Sequence, residues 1–299
     1  MSTAISVKSE VREAVAHETP FFFQAGTRRL FGVLHLPEAG DACTRAIVMS
    51  HPFGEEKLWG HRVFVSCARA LTERGYAVLR FDYSGAGDST GDTADTSLEA
   101  HLEELGVAVS EIQARCPRVK RVGLLGLRLG ASYAAIFCER FATDARFANL
   151  KNGPLVLWEC VTDGDAYFME LLRSNMATQM AVYGEVRDNR EALMARIRSG
   201  VPVNVDGYDI GKPLLESAGR ADLLAPGPKQ HAGPTLVVQV AASEQQKTRE
   251  DLQQLANDYP IGTLLRATEQ PFWREIKPFY GRARELQRVT LEWLEQNDV

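Results

Sequence analysis

The sequence is short of the features that mark several protein classes. It has no run of 18 apolar residues, so a membrane-spanning helix is not expected. The opening stretch, MSTAISVKSEVREAVAHETP, lacks the apolar centre of a secretory signal, and a cytoplasmic protein is expected. The five cysteines (Cys43, Cys67, Cys116, Cys138 and Cys160) are scattered, odd in number and never spaced as CxxC. That pattern sets aside a disulfide framework and a zinc site in favour of reduced thiols. A surplus of positive charge is lacking too. Thirty-four Lys and Arg stand against 39 Asp and Glu, a formal charge of −5, which argues against a nucleic-acid binder. There is no internal repeat and no low-complexity tract.

What remains is the composition of a globular chain: 299 residues, 45% hydrophobic and 24% charged, enough for one large domain with or without an inserted cap. Two β-rich runs, FFFQ and LFGVLHLP, flank Ala25-Gly26-Thr27 and predict a hairpin within residues 19–37. Short apolar runs then alternate with helical spacing. Strands are expected at RAIVMSH (45–51), YAVLRFDY (76–83), RVGLLG (121–126), LVLWEC (155–160), TLVVQVA (235–241) and TLLRATE (263–269). Helices are expected over residues 60–74, 97–115, 129–141, 247–257 and 280–296. Continuous apolar strands between helices signal an α/β protein with a parallel sheet covered on both faces. The stretch 161–233 offers helical spacing but no convincing buried strand. It predicts a helical cap over the sheet's carboxyl edge, inserted in a core of 19–160 and 234–299 and preceded by an N-terminal segment, 1–18. An NAD-type oxidoreductase would need GxGxxG after the first parallel strand; that strand ends in HPFG instead.

The segment RVGLLGLRLGAS (121–132) runs from a buried strand through Gly126-Leu127-Arg128-Leu129-Gly130 into a helix. This is the geometry of a nucleophile elbow, G-x-S-x-G, whose small residues let strand and helix turn tightly. Upstream stand His51-Pro52-Phe53-Gly54 and FDYSGAGDSTG (81–91). With these three signatures in this order, the chain resembles the α/β-hydrolase superfamily from about Phe21 to Leu294. GLRLG and HPFGEEK make it most similar to the second type of exosortase-system-associated hydrolases, bacterial proteins linked with exopolysaccharide and protein-sorting loci. The resemblance implies an α/β-hydrolase fold with a mostly parallel twisted sheet and a helical cap. It also implies an oxyanion hole using the N–H groups of Phe53 and Leu129, since Pro52 has none to give.

At the family's nucleophile position stands Arg128. A guanidinium has no lone pair to offer and stays protonated, so it cannot attack a carbonyl. The position implied for the family's acid is Glu244, and the one for its histidine is Gln270; no histidine follows His231. Losing the serine of such a triad costs about a millionfold in turnover. Triad hydrolysis is therefore not expected, and the sequence reads as a pseudoenzyme.

Two roles for Arg128 remain open. It either grips an anionic ligand at the helix N-terminus, aided by Phe53 and Leu129, or pairs internally with Glu244 or another carboxylate. A hydrolase or acyltransferase with a relocated group is the alternative, and Ser84, Ser89, Ser132, Cys160 and His51 are its candidates. His51 is read mainly as ordering its loop, Asp88 as structural, and Glu55-Glu56-Lys57 as solvated loop charge. His17, His35, His101 and His231 join no constellation. The pocket is open to Trp59, Trp158 and Trp273, and to Phe168, Met169, Met176, Met180 and Tyr183 of the cap. The expected partners are a small carboxylate, phosphate or acyl ligand, with a protein partner or a second copy of the chain also possible. No cofactor, metal, nucleic acid or membrane span is expected.

Overall fold

The computed structural model describes residues 17–297 apart from residue 39 and residues 275–281. Strands β1 (His17–Ala25) and β2 (Arg28–Leu36) form the expected antiparallel hairpin, two residues longer at its start than the sequence suggests. The rest of the segment expected at the N-terminus lies outside the described residues. Then follow β3 (Arg45–Ser50), α1 (Glu55–Glu73), β4 (Tyr76–Phe81), α2 (Leu98–Arg115), β5 (Arg121–Leu127), α3 (Leu129–Arg140) and β6 (Leu155–Trp158). Between β6 and the next strand of the main sheet come α4 (Gly164–Tyr183), α5 (Arg190–Arg198), β7 (Val203–Val205), β8 (Tyr208–Ile210) and α6 (Lys212–Ala218). The chain then returns through β9 (Thr235–Ala241), α7 (Glu250–Asp258), β10 (Gly262–Thr268) and α8 (Arg284–Asn297). The first two residues expected in this last helix lie outside the described residues.

Eight strands form one sheet in the order β1-β2-β4-β3-β5-β6-β9-β10. The hairpin joins β4 antiparallel, and every pairing from β4 to β10 is parallel. Alternate residues of one strand feed opposite faces. Ala46 and Val48 pack with Leu102 and Ala131, whereas Ile47 and Met49 pack with Phe64 and Leu286. Helices α2 and α3 thus cover one face, and α1 and α8 the other. Burial on both faces is why these strands read as unbroken apolar runs. Among the described residues no helix is long and apolar enough to cross a membrane.

Two local expectations need correction. The first helix starts at Glu55 rather than near Gly60, so Glu55-Glu56-Lys57 form its first turn and not a loop. Gly54 supplies the turn at φ 58°, and the helix dipole favours acidic residues just after it. The segment expected to be wholly helical also contains the β7–β8 hairpin, whose Val203, Val205 and Ile210 are buried. Its turn, Asp206-Gly207, has positive φ at both residues (51° and 91°), the two-residue hairpin signal that Asp-Gly carries.

Candidate functional site

Arg128 stands alone between the end of β5 and the start of α3 at φ 54° and ψ −124°, a conformation that costs a non-glycine residue about 1–3 kcal/mol. Packing on both sides enforces it. A Cβ on Gly126 would sit 2.5 Å from the Ala131 Cα, and one on Gly130 would overlap the carbonyl oxygens of Ser50 and His51. The Arg128 N–H donates to the Trp158 carbonyl at 3.0 Å, tying the elbow to β6.

The guanidinium turns back toward the start of α1. Its Nε donates to Glu56 Oε1 at 3.0 Å, and the other Glu56 oxygen accepts from the Tyr167 hydroxyl at 2.9 Å. Both side chains are largely buried, with 11% of Arg128 and 14% of Glu56 exposed. The Tyr167 and Trp273 rings lie 5.5 and 5.7 Å from the guanidinium carbon, within cation–π range. Burial raises the Glu56 carboxyl above its usual range even against the pull of Arg128. Burial also opposes the charge on Arg128, but Glu56 and the neighbouring charges more than restore it, so the guanidinium is held firmly protonated. Beside the pair lies a cavity of about 270 Å³ whose walls include Trp59, Tyr167, Tyr208 and Trp273. Four carboxylates line it (Glu55, Glu56, Glu170 and Asp206) against two guanidinium groups, Arg128 and Arg274. The two Nη of Arg128 have no acceptor among the described residues.

No protein-family model matches this sequence, and no curated protein does. Solved structures do match. A ferulic acid complex, "Ferulic Acid bound to Est1E from Butyrivibrio proteoclasticus", aligns over 93% of this chain and 98% of its own at TM-score 0.66 and 16% identity. An esterase from Pyrococcus furiosus aligns over 98% and 96% at TM-score 0.57 and 14% identity. Mouse alpha/beta hydrolase domain-containing protein 10 aligns over 93% and 99% at TM-score 0.56 and 14% identity. The chain has the α/β-hydrolase fold.

Within that fold the positions expected for acid and histidine do not come to the elbow. Glu244 is exposed, in a turn that Gln246 closes by accepting the Ala242 N–H at 2.9 Å, and Arg266 holds the Ser243 and Glu244 carbonyls from outside. Of the two internal partners left open for Arg128, Glu244 or another carboxylate, the structure has the latter, Glu56. Gln270 is also exposed, reaching only the Ala242 carbonyl, at 3.5 Å, among the described residues. The residue that arrives from this loop is Trp273, three positions on. The sequence reading also missed Glu159, which closes β6 at φ 43°. It is buried, accepts from the Val240 N–H at 2.8 Å, pairs with Arg249 at 2.7 Å and adds its charge to the field at Arg128. A lone carboxylate ending the apolar run LVLW was its signal.

The other candidates fall into place around this centre. The N–H groups of Phe53 and Leu129 have no acceptor among the described residues, and the Phe53 ring packs toward Phe168 and Tyr208. His51 is fully engaged: Nδ1 meets the Pro52 carbonyl at 2.7 Å, and Nε2 accepts the Tyr83 N–H at 3.1 Å. Those bonds fix the tautomer and leave no lone pair for a substrate. Ser132 donates to the Val161 carbonyl, and burial pushes the Cys160 thiol up to about 12. The Ser89 hydroxyl donates to the Asp82 carbonyl, and the Ser84 N–H is held by Glu104. Asp88 is exposed, and Asp82 is the carboxylate of this turn that pairs, with Lys57 at 2.9 Å. Trp59 and Trp273 line the cavity, whereas Trp158 is sealed in the core with its N–H on Thr290. Phe168 is buried, Met169 and Met176 pack against the core, and Met180 and Tyr183 are exposed.

Burial holds several imidazoles neutral, with His35, His51 and His231 pushed down to about 4 and His101 to about 3. Each binds its proton more readily in the unfolded chain than in the folded one. Stability is therefore expected to fall as the pH drops from 6.5 toward 4. Urea unfolding at pH 7, 6, 5 and 4 should show the midpoint dropping throughout, and a midpoint flat from pH 6.5 to 4 would contradict the buried neutral imidazoles.

Proposed function

We propose that this protein is a non-covalent binder of small acyl compounds that uses the hydrolase scaffold without hydrolase chemistry. The observation that carries this reading is the Arg128–Glu56 ion pair in the elbow. It fills the nucleophile's place with a group that cannot attack, and His51, the imidazole of the neighbouring loop, has both nitrogens occupied. The Nη donors of Arg128 are available to a ligand oxygen, and Trp59, Trp273 and Tyr167 offer flat apolar walls. With four carboxylates against two arginines, an uncharged carbonyl suits the cavity better than another anion. The segment 161–233, which supplies Tyr167 and Tyr208, acts in this reading as the cap. The two motifs behind the resemblance to exosortase-associated hydrolases, HPFGEEK and GLRLG, contribute the two halves of the ion pair. That resemblance supports a role beside polysaccharide export or protein sorting.

The test has two arms. A fluorophosphonate probe should leave the protein unlabelled, and p-nitrophenyl acetate should turn over no faster than with a denatured control. Labelling or turnover that persists in Arg128→Ala would establish a relocated nucleophile and overturn the reading. In thermal-shift titrations acetanilide should raise Tm, and Arg128→Ala should abolish the rise. Stronger stabilisation by benzoate or phenyl phosphate would instead make the site an anion receptor.

A further inference from the structure

Beyond the Arg128 site, on the other side of Phe53, Gly54 and Tyr208, lies a second cavity of about 210 Å³. Its wall includes the His51, Tyr83, His101 and Tyr133 rings, brought together from the loops after β3 and β4 and from helices α2 and α3. Tyr83 is at the centre, with ring centroids 5.0 Å from His51, 4.7 Å from His101 and 5.8 Å from Tyr133; His101 and Tyr133 are 5.2 Å apart. The Tyr83 hydroxyl is bonded to Ser50 at 2.7 Å. The Tyr133 hydroxyl completes no hydrogen bond among the described residues, and His101 is engaged through one ring nitrogen by the Ser84 backbone, leaving the other without a partner, although both residues are only 3% exposed. Such groups ordinarily find partners, so an open hydroxyl beside an open imidazole lone pair, both on residues of the cavity wall, marks a place for a ligand's polar group. Among the described lining residues the formal charge is that of Lys57, already paired with Asp82. Burial keeps His101 neutral, so its ring carries one donor and one lone pair.

We infer that this second cavity binds a small uncharged ring bearing a hydroxyl group, a phenol being the simplest example. A phenolic oxygen can accept from the Tyr133 hydroxyl while its own proton goes to the His101 lone pair, satisfying a donor and an acceptor at once. Phe53, Tyr83 and Tyr208 supply aromatic surface for the ring. The volume is adequate, since an apolar protein cavity of about 150 Å³ admits benzene. A carboxylate or phosphate is disfavoured because the cavity presents no unpaired cation among its described residues. This inference does not depend on the function of Arg128.

Calorimetric titrations of the full chain with phenol and with toluene, its non-hydroxylated analogue of similar size, test it. Phenol should bind at least tenfold more tightly than toluene. Tyr133→Phe should fold with a Tm no lower than the parent's, because it removes a hydroxyl without a partner. It should also weaken phenol about tenfold and leave toluene unchanged. Arg128→Ala should leave phenol affinity unaltered, which separates this cavity from the one at the elbow. Equal binding of phenol and toluene, no phenol binding, or a Tyr133→Phe protein that keeps full phenol affinity would each overturn the proposal.

Discussion

Arg128→Gly is expected to destabilise the protein even though glycine suits the elbow's backbone better. The substitution relieves about 1–3 kcal/mol of strain at φ 54°. It also strands Glu56 in a largely buried position, and breaking such a pair costs about 3–5 kcal/mol. Taken at mid-range the second effect outweighs the first by about 2 kcal/mol at neutral pH, within bounds of about 0–4 kcal/mol. The loss should depend on pH in a definite direction. Burial already raises the Glu56 carboxyl, and removing Arg128 raises it further, so the folded variant holds its proton more tightly than the unfolded chain does. Stability relative to the parent should therefore be best in mild acid and worsen as the pH rises through the raised value. Adding Glu56→Gln to Arg128→Gly should recover most of the loss at pH 7, since the neutral amide needs no counter-charge. Chemical denaturation of the parent, the single variant and the double variant at pH 5 and pH 7 measures all of this. A single variant as stable as the parent at both values would show that the ion pair contributes nothing.

Gly130→Ala should be more damaging still. The new Cβ would overlap two backbone carbonyl oxygens, those of Ser50 and His51, and backbone held in a parallel sheet cannot swing aside as a side chain can. Either α3 lifts from the sheet or the loop carrying Phe53 shifts. A loss of more than about 4 kcal/mol or failure to fold is expected, the range reserved for overpacking at enforced contacts. Gly126→Ala meets the Ala131 Cα in the same manner. An exposed glycine such as Gly184, with open space around it, is the control: its substitution is strained at φ 75° but meets no neighbour. Thermal unfolding separates the cases. A Gly130→Ala protein within 2 °C of the parent would mean that the elbow does not pack as described.

Most of the fold was legible because its signals are local. Apolar runs such as TLVVQV have no polar alternation, and that follows from burial on both faces of a parallel sheet. The elbow could be read from Gly126 and Gly130 flanking Arg128, because the tight turn constrains residue size at fixed spacing. The β7–β8 hairpin was missed although Asp206-Gly207 signals it, since strands of three residues offer too little alternation to outweigh the helical spacing around them. The start of α1 was misplaced by several residues, and with it the character of Glu56. A charged cluster beside a glycine reads as solvated loop until the helix beginning there is seen to aim one of its carboxylates inward.

The sequence by itself determined that a guanidinium stands at a strand-to-helix turn bounded by Gly126 and Gly130, since residue identity and turn geometry are local properties. It also determined the absence of a histidine near the chain's end. Only the tertiary structure decided which carboxylate neutralises Arg128. Glu56 lies 72 residues away, on a helix brought alongside the elbow by strand order, while Glu244 is turned outward by the hydrogen bonds of its own loop. The same is true of the Tyr83, His101 and Tyr133 cluster, whose members share no sequence spacing and meet because the turn after β4 converges with α2 and α3. Partnership between distant side chains depends on packing, and packing is a property of the whole chain.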